Sequence, residues 1–219
     1  MATEAIGAPV GFIDRRRRSN GIATAVSLVA LTGSTFSLWE TTFKQPHIDF
    51  YVSENIHYTR DPFGSYEVLA VPLTIVNSGA RDGAVLSLQL DVKNTTSGKS
   101  DTFKSTFTAD AAYFGSREDA AAGLKRPKVP FAPLSIAGRH AFTGTVLFYR
   151  PRGEKNLIEG AADLDLTLTL VVPPPNNALD KALTKLPNPV TVKASVSNFL
   201  PGALYSGDNI PLKMTAGAY

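Results

Sequence analysis

The chain contains no cysteine, which removes disulfides, thiolate metal sites and cysteine nucleophiles together. Histidine is scarce. His47, His57 and His140 are the three present, and they stand at no recognised zinc-ligand spacing, so neither a metal nor a cofactor is expected. The signatures that announce common chemistries are missing as well. Gly64-Ser65 and Gly115-Ser116 lack the second glycine of a hydrolase elbow, and there is no Gly-rich phosphate loop and no dinucleotide fingerprint. Asp163 and Asp165 share one face of an alternating stretch, about 7 Å apart as in a glycosidase pair, but two carboxylates on a wet strand face read as surface charge. No catalytic residue is assigned, and the expectation is a protein that is not an enzyme.

Charge of one sign is also in short supply. The formal net charge is +3, and the four consecutive arginines Arg15, Arg16, Arg17 and Arg18 exceed it by themselves. Basicity is therefore local, and no nucleic-acid partner is expected. Two further basic groups, Lys125, Arg126 and Lys128, and Arg150, Arg152 and Lys155, fall in expected loops. They read as solvated charge, with contact to lipid headgroups as the alternative.

Long runs without charge are rare, with one exception directly after the arginines. Gly21 to Trp39 is free of charge and would reach about 28 Å as a helix, close to the roughly 30 Å hydrocarbon thickness of a bilayer. We read 21–43 as a transmembrane helix and 1–20 as a short cytoplasmic tail. The positive-inside bias of Arg15 to Arg18 places the N-terminus in the cytoplasm and the rest of the chain outside, with Trp39 at the outer interface. In a bacterium this is the inner membrane with a periplasmic domain. A cleaved signal peptide would want an A-x-A-like site after the apolar run, and none is present. A buried helix would fit the hydroxyl residues that interrupt the run, but not the arginines. Ala23, Ser27, Ala30, Ser34 and Ser37 are spaced 4, 3, 4 and 3, which lines them along one helical seam opposite Val26, Val29 and Phe36. Small residues let a second helix approach closely, so a membrane-protein partner or a second copy of the chain is expected there.

Beyond residue 44 the sequence alternates. Ile48, Phe50 and Val52 share a face, as do Leu69, Val71, Leu73 and Ile75, which precede the turn Asn77-Ser78-Gly79. Ala84 to Val92, Phe103 to Phe107, Phe142 to Phe148, Leu164 to Val172 and Val190 to Val196 repeat the pattern, each with one apolar side, as half-wet antiparallel strands do. Pro72 suits an edge or a bulge. Ser116 to Leu124 reads as one short helix, and 178–186 as another turn or two. The expectation is a mainly β protein, an antiparallel β-sandwich over 44–198, with 199–219 an irregular tail.

Val71-Pro72-Leu73-Thr74-Ile75-Val76-Asn77-Ser78-Gly79 followed by Ala84 to Val92 resembles the B-strand, turn and C-strand of bacterial immunoglobulin-like adhesion and cell-surface modules. The whole layout is similar to bacterial membrane-anchored proteins with an immunoglobulin-like outer domain. That resemblance implies a fold and no activity. The antibody-type disulfide cannot form here, and Trp39 lies in the anchor, away from any sandwich core. The function expected is an accessory or scaffolding subunit of a membrane complex, acting by protein–protein interaction. The alternative is a module that binds cell-envelope glycan through exposed aromatics such as Tyr51, Tyr58, Tyr66 or Tyr113.

Overall fold

The computed structural model describes residues 12–60, 66–109, 129–151, 155–175, 178–199 and 209–215. The chain divides into two compact units, Met1–Lys44 and Gln45–Tyr219.

In the first unit, helix α1 runs from Phe12 to Leu38 and continues as one π-helical turn over Trp39–Phe43. The Lys44 amide donates to the Trp39 carbonyl at 2.9 Å, an i to i−5 bond that widens the last turn, and Pro46 two residues later cannot extend it. The backbone of Arg15 to Arg18 belongs to this helix, so the expected tail over 1–20 gives way to helix from Phe12. The arginine side chains lie outside the described residues. Gly21–Phe43 has a mean hydropathy of 1.5 and is long and apolar enough to cross a bilayer. Several of its hydroxyl residues turn back to the helix backbone. Thr32 donates to the carbonyls of Leu28 and Val29, Ser34 to Ala30 and Thr35 to Leu31, all at 2.8 to 3.0 Å. Satisfying hydroxyls within the helix removes most of their cost in an apolar environment.

The second unit is antiparallel β. Its strands, among the described residues, are β1 (Ile48–Val52), β2 (His57–Arg60), β3 (Tyr66–Asn77), β4 (Gly83–Val85), β5 (Ser87–Asn94), β6 (Ser100–Ala109), β7 (Val129–Pro130), β8 (Leu134–Ile136), β9 (Ala141–Pro151), β10 (Ala162–Val171), β11 (Val190–Val196), β12 (Ile210–Pro211) and β13 (Lys213–Met214). A short helix, α2 (Ala178–Leu183), follows β10 once Pro173 to Pro175 have stopped it. The helix expected over Ser116–Leu124 lies outside the described residues.

Eleven strands form one sheet in the order β12-β2-β3-β9-β6-β5-β10-β11-β13, with β1 added to β3 and β7 to β6, while β4 and β8 pair separately. β12 and β13 stand at opposite ends of this order, yet only Leu212 separates them in sequence. Ile210 and Pro211 pair with Tyr58 and His57 of β2, and Lys213 and Met214 pair with Ser195 and Ala194 of β11. Bonds from the Leu212 amide to the Ile56 carbonyl and from the Thr215 amide to the Lys193 carbonyl complete the bridge. One five-residue stretch therefore joins the two ends of the sheet and curls it around a single core, which leaves neither β2 nor β11 as an open edge. The irregular tail expected over 199–219 is corrected here. Ile210 and Leu212 are buried, and Ile210–Met214 is the closing strand.

The alternation predicts most of the core. Leu69, Val71, Leu73 and Ile75 of β3, Leu88, Leu90 and Val92 of β5, and Leu164, Leu166 and Leu168 of β10 all enter one cluster. The pattern breaks in two places. It predicts Ala84 and Leu86 facing inward with Leu88; instead Val85 is buried and Leu86 is exposed, because the chain leaves β4 for a separate pairing with β8 before re-entering the sheet at β5. In β6 a bulge between Ser105 and Phe107 shifts the register, so Phe107 packs with Val68, Ala70 and Leu147 in a second, smaller cluster apart from the main core. Pro72 is not on an edge strand, because β3 is paired on both sides. β1 takes Leu73–Asn77, β2 takes Glu67–Ala70, and Pro72 falls in the gap between them. Its carbonyl accepts the Ser53 amide, so its missing N–H would also have pointed into that gap, where no ladder bond is lost.

Candidate functional site

Three places concentrate polar or shaped surface, and each is built from the strand or helix beneath it.

The first is the seam of α1. A shallow groove of about 570 Å³ runs along the helix, lined by Ala30, Gly33, Ser34, Ser37, Leu38 and Thr41. It contains three of the five small residues named from spacing, and adds Gly33 and Thr41 on the same side. Ala23 and Ser27 do not line it. The Ser34 and Thr41 hydroxyls are returned to the carbonyls of Ala30 and Ser37 at 2.8 and 2.7 Å, so two of the groove's hydroxyl donors are already engaged. Val26, Val29 and Phe36 are exposed, as bulk for lipid would be. Trp39 is 42% exposed at the start of the π turn.

The second is a buried charge network at one end of the core. Glu67 is fully buried, at an inward-facing position two residues before Leu69. It accepts from the Tyr58 hydroxyl at 2.5 Å, from the Leu157 amide at 3.1 and 3.0 Å and from the Ile158 amide at 3.4 Å. It also pairs with Arg150, which in turn holds Asp101. Arg60 donates to the Tyr58 hydroxyl at 2.9 Å and to the Ile158 carbonyl, and its guanidinium lies 5.5 Å from the centroid of the Phe199 ring. Burial pushes the Tyr58 hydroxyl far above its ordinary range, and the neighbouring Glu67 charge adds to the shift. Burial alone would lower Arg150, but the hydrogen bond it donates to Asp101 and the charges of Glu67 and Asp101 raise it on balance. For Asp101 burial acts upward and is outweighed by Arg150 and the Thr102 amide, so the net shift is downward. Both oxygens of Glu67 are fully occupied by donors, which leaves it no free lone pair for a substrate proton. The network is a clamp that ties β2, β3, β6 and β9 to the 155–158 loop. Arg150, expected in a solvated loop cluster, is a largely buried member of it, its side chain 11% exposed; Arg152, Lys125, Arg126 and Lys128 lie outside the described residues.

Two buried asparagines do similar work. Asn77 accepts the His47 and Gly79 amides and donates to the Arg81, Ile136 and Ala137 carbonyls. Asn94 accepts the Ser97 amide and donates to the Leu157 carbonyl. Glu67, Asn77 and Asn94 each extend an inward-facing apolar alternation by one step, and this was the signal in the sequence that could have found them.

The third is an open groove of about 600 Å³ where β1 gives way to β2 beside β3 and β9. Tyr51, 60% exposed, stands on one side. Thr74 and Thr143, cross-strand partners, join hydroxyls at 3.1 Å. Thr145, paired with Pro72, lies deepest, with 1% exposure, and its Oγ1 has no hydrogen-bond partner among the described residues. An unmet buried hydroxyl costs about 1–3 kcal/mol. Ser53, Asn55 and His57 complete the polar lining, and among the described residues no carboxylate, Lys or Arg lines it. Burial lowers His57 below its ordinary pKa, against the opposing hydrogen bond with Asn209.

The remaining sequence candidates are dispersed. His47 reaches Asp49 at 3.4 Å, His140 bonds the Gly138 carbonyl, and His57 lines the open groove. Among the described residues no group of three or more His, Asp or Glu is placed to hold a metal. Asp165 sits between Lys93 of β5 and Lys193 of β11 in register, the setting of surface charge. Tyr58 is committed to Glu67, Tyr66 packs edge-on against Tyr149 at 5.9 Å, and Tyr113 lies outside the described residues.

Fold and surface together define a closed antiparallel β unit in a chain that begins with an apolar helix. No family model and no curated protein matches the chain. Among solved structures, a structural-genomics target from Bordetella pertussis described as an ApaA protein is similar at 13% identity and a TM-score of 0.30, over 59% of this chain and 82% of that one. A likeness of that size carries no argument about fold or activity.

Proposed function

We propose that the protein is a single-pass protein of the bacterial inner membrane, with its N-terminus in the cytoplasm and its β unit in the periplasm. In this reading it serves as a non-enzymatic accessory or scaffolding subunit of a membrane complex. The observation that carries the reading is the groove along α1. A helix whose only task is to hold a domain at a bilayer needs no indented face, whereas a line of Ala30, Gly33, Ser34 and Ser37 allows a neighbouring helix to pack backbone to backbone. The arginine run before the apolar stretch supports the orientation. The occupied donors around Glu67 support a structural use of the most charged site in the β unit. For that unit we keep the immunoglobulin-like sandwich as the finer assignment. It requires the curled sheet to flatten into two facing layers, with β3 and β9 in one and β5 and β10 in the other, and the shared core of their inward faces supports that arrangement.

The test is replacement of Ala30, Ser34 and Ser37 together by Leu, followed by gentle detergent extraction from native membranes and native electrophoresis. The assembly should dissociate while the chain remains membrane-bound. An unchanged assembly, or a wild-type chain that migrates as a lone monomer, would overturn the reading.

A further inference from the structure

The open groove between β1, β2, β3 and β9 plays no part in the scaffold reading. Its walls mix hydroxyl, amide and imidazole groups with the apolar surface of Val52, Pro72 and Leu73, and among the described residues no carboxylate, Lys or Arg lines it. Among the described residues an anion or a cation would find no counter-charge lining it. A wholly apolar ligand would leave the Asn55 amide and the Thr145 hydroxyl against hydrocarbon. What suits such a surface is a neutral molecule studded with hydroxyls that can both donate and accept, and that also has an apolar face to lay on an aromatic ring. Tyr51 offers that ring. It occurs on the outward side of β1, opposite Thr74 in the register, and 60% of it is open to solvent although a tyrosine on a sheet could have lain flat among its neighbours.

Thr145 supplies an independent reason. A hydroxyl that is 1% exposed and lacks a partner among the described residues is unusual in a folded protein. A valine of nearly the same volume would fill the position without that deficit. Thr145 is itself one of the residues that line the groove, which makes a ligand seated there the nearest available partner for that hydroxyl.

We propose that this groove binds a neutral saccharide, with Tyr51 as the stacking platform and the Thr145 hydroxyl as the buried recognition group, assisted by Asn55 and the Thr74–Thr143 pair. The inference stands whether or not α1 has a partner helix.

The probes are triacetylchitotriose, cellotriose and maltotriose, titrated calorimetrically into the full chain held in a phosphocholine detergent, since glycoside detergents would compete. A parallel sedimentation uses isolated peptidoglycan. Binding of at least one trisaccharide is expected, weakened about tenfold by Tyr51→Ala and about two- to tenfold by Thr145→Val. Thr145→Val should keep the near-ultraviolet circular dichroism of the wild type and unfold at an equal or higher urea concentration, which separates lost recognition from lost folding. Trisaccharide binding with peptidoglycan retention assigns the site to wall glycan, and trisaccharide binding without it to a free sugar. No binding of any probe up to about 10 mM, weaker than any ordinary specific site, would overturn the proposal. So would binding that both substitutions leave unchanged.

Discussion

Glu67 is the residue on which the β unit most depends. A carboxylate with no exposure has to be matched by donors, and its partners come from β2, from β9 and from the 155–158 loop. Removing one member of a buried charged pair leaves the other uncompensated, which costs about 3–5 kcal/mol. Glu67→Gln should therefore lower the urea midpoint by that equivalent, read by near-ultraviolet circular dichroism of the tyrosines because Trp39 reports on the helix instead. Asp101→Asn should cost far less, within about 1 kcal/mol, since the Asp101 side chain is 44% exposed. Acidity acts through His57. Its folded pKa is lowered from the ordinary 6.5, so the unfolded chain takes up a proton more readily. Stability is then complete above 6.5 and falls as the pH drops through 6.5 toward the folded value, where the loss levels off. His57→Gln should flatten that part of the profile, and an unchanged slope would show that His57 has the same pKa in the folded and unfolded chain.

At the scale of elements, closure by Ile210–Met214 makes the C-terminal stretch a structural strand. Leu212, buried between β2 and β11, should cost about 2–5 kcal/mol as Leu212→Ala. Deleting residues 209–219 should do more, exposing the edges of β2 and β11 and converting the chain to concentration-dependent oligomers visible by light scattering. A deletion that remained folded and unassociated would show that the bridge is dispensable. The turn before β9 is as tightly fitted. A Cβ on Gly138 would stand 2.0 Å from the Ala80 carbonyl oxygen, so Gly138→Ala should destabilise by roughly 1–3 kcal/mol.

These elements also show what could be read from the sequence. Strict alternation in β3, β5 and β10 gave away their inward faces, because period two is a local property of a strand with one wet side. Closure was invisible, since Ile210 to Met214 is too short to show a period and its pairings with β2 and β11 are non-local. The bulge before Phe107 and the break at Leu86 were invisible for a related reason: each depends on which strand lies alongside. Glu67, Asn77 and Asn94 were legible in principle, as polar residues in phase with an apolar face. Thr145 was not, because an outward threonine looks the same whether water or a groove lies above it.

At the scale of the whole molecule, helix and β unit carry separate chemistry: Ala30, Gly33, Ser34 and Ser37 offer packing to a helix, and the β unit offers a polar groove to a ligand. The proposed function has the chain cross a membrane once, with Arg15 to Arg18 on the inner side. Because the sequence has no cysteine, a single introduced thiol reports its own location. The most direct measurement places Thr3→Cys and, separately, Ser97→Cys in the turn between β5 and β6, and treats intact cells, with the outer membrane permeabilised, with a maleimide that cannot cross the inner membrane. Labelling of Ser97→Cys and protection of Thr3→Cys until the cells are lysed is the expected result. Protection of both, labelling of Thr3→Cys alone, or recovery of the full-length chain in the soluble fraction would contradict the anchored, outward-facing arrangement.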